Sequence, residues 1–222
     1  MKKMACAFAF LVLASAVLFF PGCAQSGAPA KNESGSGAKF ILPASDVAYY
    51  ARYTVEEGGP MTKEVWRAPD KMRIDMSAQG MLALSFFFVD SRAYSCSYIS
   101  ASPACYDVTA MLSQADAGKI LPNEGSFDGS MKVESVKIGD TTGNCYETAP
   151  MGNSRKTCFA QQGVMAFDSY NVSKTVVHTE YLTDIEYFAK GTGPDASVFA
   201  LPAQPVDAPA APSPPTVPSE EQ

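Results

Sequence analysis

One histidine, His178, stands among the residues that could move a proton, and Glu180 follows two positions later, on the same side of any strand they share. General acid–base or nucleophilic chemistry needs such a group within reach of a positioned partner. Strand alternation sets His178 and Glu180 beside Asp184 and Glu186 on a polar side, the pattern of a surface rather than of a catalytic cleft. Glu56-Glu57, just before Gly58-Gly59-Pro60, read as turn charge. Neither acidic pair offers the oxygen-rich ligand set of a metal site, and the chain contains no phosphate-binding Gly-rich loop or GxSxG elbow. The residues that do support chemistry are cysteines. Cys96, Cys105, Cys145 and Cys158 allow three pairings, of which local spacing favours Cys96–Cys105 and Cys145–Cys158. In an exported chain these are disulfides, and they lack the CxxC spacing and nearby histidine that zinc or redox work would need.

Export is what the N-terminus predicts. Lys2-Lys3 precede an almost unbroken apolar run over residues 4–20, the layout of a secretory signal peptide. The run closes on Leu18-Phe19-Phe20-Pro21-Gly22-Cys23, an ending that resembles a lipoprotein lipobox, in which the cysteine receives a diacylglyceryl group. Two acyl chains give a lasting anchor, since each buried CH₂ contributes about 0.8 kcal/mol. Two other readings stay open: an uncleaved apolar anchor, or cleavage after Ala28-Pro29-Ala30 and release. Residues 23–39 then form a lipidated cysteine and a Gly/Ser/Ala-rich tether. The formal charge is −6, and loss of Lys2 and Lys3 with the leader makes it more negative. That balance excludes nucleic acid as a partner and disfavours adsorption to anionic membranes through a basic patch.

The elements that must carry these residues are strands. Tyr49, Ala51, Tyr53 and Val55 alternate with Tyr50, Arg52 and Thr54, and residues 61–67 return after the turn. Ala68-Pro69-Asp70 leads into Lys71-Met72-Arg73-Ile74-Asp75-Met76, whose Met72/Ile74/Met76 side must be covered. Residues 81–89, with Phe86-Phe87-Phe88, are apolar on both sides, so this strand is covered twice or lines a hollow. Further strands are expected over 92–98, 131–138, 144–147, 156–159, 164–170 and 175–187. In the last, Val177, Thr179, Tyr181, Thr183, Ile185 and Tyr187 fall on one side. Residues 108–119 predict one internal helix with Thr109 as N-cap, and 194–199 a helical turn docking Phe199 and Leu201. The expected organisation is a signal peptide over 1–22, the tether over 23–39, a β domain over 40–202, and a disordered Pro-rich tail over 203–222.

The lipobox-like leader, the start Tyr49-Tyr50-Ala51-Arg52-Tyr53 and the Lys71-Met72-Arg73-Ile74-Asp75 strand together resemble the LolA/LppX/RseB-like lipoprotein superfamily. So do Leu182-Thr183-Asp184-Ile185-Glu186-Tyr187 and the closing Phe199-Ala200-Leu201-Pro202. The resemblance implies an α+β fold, mainly β: a strongly curved antiparallel sheet, an unclosed half-barrel, with one or two short helices on its concave side. It implies an apolar hollow for acyl chains or a lipoprotein. Met72, Ile74, Met76, Met81, Leu84, Phe86 and Phe88 are the candidate lining; the competing reading is that they form a packed core. The expected activity is non-enzymatic, with no cofactor: lipid binding at the cell envelope, or recognition of another envelope protein by a domain whose core is filled.

Overall fold

The computed structural model describes residues 40, 42, 46–112, 131–138, 141–148, 154–173 and 175–208. The leader, Cys23 and the tether lie outside them, as do residues 113–119 of the expected helix and the end of the Pro-rich segment.

Twelve strands form one unclosed sheet. The first six are β1 (Tyr49–Glu56), β2 (Pro60–Arg67), β3 (Met72–Ala78), β4 (Met81–Val89), β5 (Arg92–Ser97) and β6 (Ala104–Asp107). The rest are β7 (Met131–Ile138), β8 (Thr141–Thr148), β9 (Arg155–Phe159), β10 (Met165–Asn171), β11 (Val177–Tyr187) and β12 (Val206–Asp207). Their order is β12-β6-β5-β4-β3-β2-β1-β11-β10-β9-β8-β7, so two meanders are joined at the centre by antiparallel pairing of β1 with β11. Strands β1 to β11 are antiparallel to their neighbours, and β12, within the segment read as a tail, adds to β6 in parallel.

Turn chemistry sets the short hairpins. Gln79-Gly80 (φ 53° and 76°) and Asp90-Ser91 (φ 52° and 60°) are two-residue loops with both residues left-handed. That conformation matches the right-handed twist of the flanking strands. The sheet also curls: the Tyr53 hydroxyl on β1 donates to the Met165 carbonyl of β10 at 3.0 Å, although two strand spacings are roughly 10 Å on a flat ladder.

One face buries Tyr49, Ala51, Tyr53, Val65, Met72, Ile74, Phe88, Ala93, Phe159 and Met165 in a single cluster. The other buries Phe87 with Cys96 and Cys105, against which Tyr94, Tyr98 and Leu201 pack. Strand β4 is therefore covered on both sides.

The expected α component is corrected. The described residues are nearly all β, with helical turns of only three or four residues. Residues 109–111 make one 3-10 turn, after which Leu112 is extended (φ −98°, ψ 125°). Thr109 does not cap a helix: its hydroxyl accepts from the Ala93 N–H at 3.0 Å, tying the turn to β5, while Asp107 accepts from the Thr109 N–H. Cover over the buried face comes instead from side chains of connecting segments, Phe40, Leu42, Val47, Val108 and Leu112. The turn at Ala196–Phe199 forms as expected, with Asp195 accepting from the Ser197 N–H and Phe199 buried.

Candidate functional site

Register brings most of the candidate lining together. Met72 stands opposite Phe88, Ile74 opposite Phe86, and Met76 opposite Leu84. Met72, Ile74 and Phe88 are 0%, 5% and 2% exposed, with Met76 and Phe86 packed against them. Leu84 is half-buried. The Phe40 ring sits 5.2 Å from that of Phe88, so the chain's own residues occupy this face. Met81 is separate: it begins β4 at the Gln79-Gly80 turn and is 68% exposed.

Farther along the same face the sheet is buried but ionic. The cause is a β-bulge in β11, where Arg52 pairs with Asp184 and Tyr53 with Leu182, leaving Thr183 as the extra residue. The bulge reverses the alternation. Ile185 and Tyr187 face the core as their side of the strand predicts, but before Thr183 it is His178 and Glu180 that turn inward while Val177 is exposed. The surface reading of His178 and Glu180 is thus corrected.

The Lys63 ammonium donates to Glu180 Oε1 at 2.7 Å, across β1. His178 lies between two carboxylates, Nδ1 at 2.7 Å from Glu57 Oε2 and Nε2 at 3.7 Å from Glu180 Oε2. Tyr170 stacks on the imidazole at 4.6 Å, and the Arg155 guanidinium lies 5.2 Å from the Tyr170 ring centre. Arg155 grips Asp168 through two hydrogen bonds of 2.9 and 2.8 Å, and Thr157 donates to the same carboxylate at 2.7 Å.

Burial opposes charge on His178, but hydrogen bonds with Glu180 and Glu57 outweigh it and raise the pKa to about 9. Burial likewise opposes charge on Glu180, while Lys63 and His178 hold its carboxyl below the usual carboxylate range. In this cluster the cationic Lys63, His178 and Arg155 stand against the carboxylates of Glu180, Glu57 and Asp168. His178 is only 2% exposed with both ring nitrogens beside carboxylates, and its bond with Glu57 ties that turn to β11.

The disulfides Cys96–Cys105 and Cys145–Cys158 join directly paired residues of β5/β6 and β8/β9, as local spacing favoured. They place the domain in an oxidising, extracytoplasmic environment.

On the opposite face, polar side chains form ladders. Arg52 pairs with Glu64, which also accepts from the Tyr50 hydroxyl. Arg73 donates twice to Asp75, at 2.8 and 2.7 Å, and once to the Val198 carbonyl at 3.0 Å. Its guanidinium lies 5.1 Å from the ring centres of both Trp66 and Phe87. Beside it an open groove of about 380 Å³ is lined by Tyr50, Trp66, Glu186, Phe188, Pro194, Asp195 and Val198. Sequence reasoning missed this groove, because the Phe188–Val198 segment that walls it folds back over β1 and β2 without periodicity to announce it.

No family model matches the chain, and no curated protein matches it. Similar solved structures include PNGF-II in its C2 crystal form, at 11% identity and a TM-score of 0.42, covering 73% of this chain and 31% of that one. The P21 form of PNGF-II stands at 10% identity and 0.41, covering 73% and 32%. This chain spans about a third of the length of those structures.

Proposed function

We propose that the chain is a membrane-anchored, non-enzymatic module of the cell envelope that works by recognising another envelope protein. The observation supporting this over lipid binding is the filled face: Met72, Ile74 and Phe88 are packed beneath Phe40 and its neighbours, leaving the candidate lining occupied by the chain itself. Kinship with LolA/LppX/RseB-like lipoproteins is part of the proposal and rests on the strand-and-turn pattern. Cys23 supplies the anchor, and the tether sets the distance over which the domain can search.

Two measurements test the reading. Protein purified from membranes and weighed by native mass spectrometry should carry acyl mass at Cys23 and no second lipid, and should take up no fluorescent fatty acid. Cross-linking of the anchored chain in its own envelope should recover a partner protein. Bound lipid that survives purification, or saturable fatty-acid uptake, would return the function to lipid binding.

A further inference from the structure

The groove beside Trp66 has a chemistry its walls leave incomplete. Its aromatic walls are Tyr50, Trp66 and Phe188, and its charged lining groups are the carboxylates of Glu186 and Asp195. Neighbouring charges are already matched, Arg73 by Asp75 and Arg52 by Glu64. Among the described residues no cation lies within ion-pair distance of Glu186 or Asp195. Asp195 is moreover fixed in place by the Ser197 N–H, so its negative charge is positioned. Arg73 already lies over the Trp66 ring, so the remaining attraction for a cation comes from the Tyr50 and Phe188 rings through their quadrupoles and from the full charge of the two carboxylates.

Deepening the interaction-module reading and resting on it, we propose that this groove docks a lysine or arginine side chain of the partner protein. The net charge of −6 steers a basic segment toward the domain. A choline headgroup is also a cation, but it brings a phosphate that Glu186 and Asp195 repel; a basic side chain brings none.

Trp66 is the only tryptophan, so its fluorescence reports the groove alone. The full-length protein is titrated with the acetylated, amidated peptide Gly-Arg-Gly-Arg-Gly, with its glutamate counterpart, and with phosphatidylcholine vesicles. The arginine peptide should give a saturable change in Trp66 emission by roughly millimolar concentration, weakened by salt. The glutamate peptide should give none. Glu186→Gln should weaken binding about threefold, while Asp184→Asn, exposed and outside the groove, leaves it unchanged. A silent Trp66, an equal response to the glutamate peptide, or a response to vesicles alone would overturn the proposal. If Trp66 is silent but partner proteins still cross-link, the groove fails and the module reading stands. Co-purified lipid defeats the module reading, whatever Trp66 reports.

Discussion

Raising the pH should remove one proton that holds the buried cluster together. His178 keeps its proton up to about pH 9, against an ordinary 6.5, because Glu180 and Glu57 outweigh the cost of burial. At about 1.4 kcal/mol per tenfold change in affinity, holding the proton over that interval corresponds to roughly 3 kcal/mol of folding stability. The native state binds this proton more tightly than the unfolded chain does. The contribution is therefore complete below about pH 6.5, declines above it, and is gone once the pH passes about 9. Buried tyrosines act in a higher window. Tyr49 is pushed up to about 12 by burial, so its effect begins only where unfolded tyrosine ionises, near pH 10. Urea unfolding with disulfides intact, run from pH 6.5 to 9.5, isolates the histidine. Stability should fall by roughly 3 kcal/mol across that range in the natural protein, and His178→Gln should be less stable at pH 6.5 with a nearly flat profile. A flat profile in the natural protein, or an unchanged slope in the variant, would show that the imidazole does not hold the proton, and the argument would fail.

Two further expectations concern packing and cross-links. Met72→Ala, at a fully buried position, should cost about 2–5 kcal/mol in urea unfolding, whereas Met81→Ser should stay within about 0.5 kcal/mol; equal effects would refute the division between core and surface. Replacing Cys145 and Cys158 together by serine should cost about 3 kcal/mol for a loop closed across 13 residues, and an unchanged melting temperature would show that the bond contributes nothing.

Strands and turns were legible because each is a local pattern. Alternation from Met72 to Met76 predicted the packed side of β3, where Met72 and Ile74 are buried and Met76 half-buried, but Asp75 on the other side is buried as well, accepting from Arg73 and Ser85. Cysteine spacing anticipated the strand pairs that the disulfides join. What failed is what tertiary contacts decide. His178 and Glu180 look like surface residues on an unbroken strand, and the single inserted Thr183 that turns them inward has no sequence signal of its own. Its hydroxyl donates to the Arg52 carbonyl at 3.0 Å, a contact that exists only once β1 and β11 have met. Within the described part of the helix expected from Val108, only one turn forms over 109–111, where Thr109 is tied to Ala93 on the neighbouring strand. The groove was invisible for a similar reason: Trp66 and Asp195 are brought together only when the Phe188–Val198 segment folds back.

The central seam between β1 and β11 also dictates the order in which a newly exported chain can be finished. Thr183 and Arg52, which meet across it, are 131 residues apart. The first six strands can zip into a meander as they emerge, but one long edge of β1 stays open, with its backbone donors and acceptors unanswered, until almost the whole domain has crossed the membrane. During that interval two chains emerging side by side present the same unsatisfied edge to one another. The arrival of β11 thus closes the edge through which two such chains would pair.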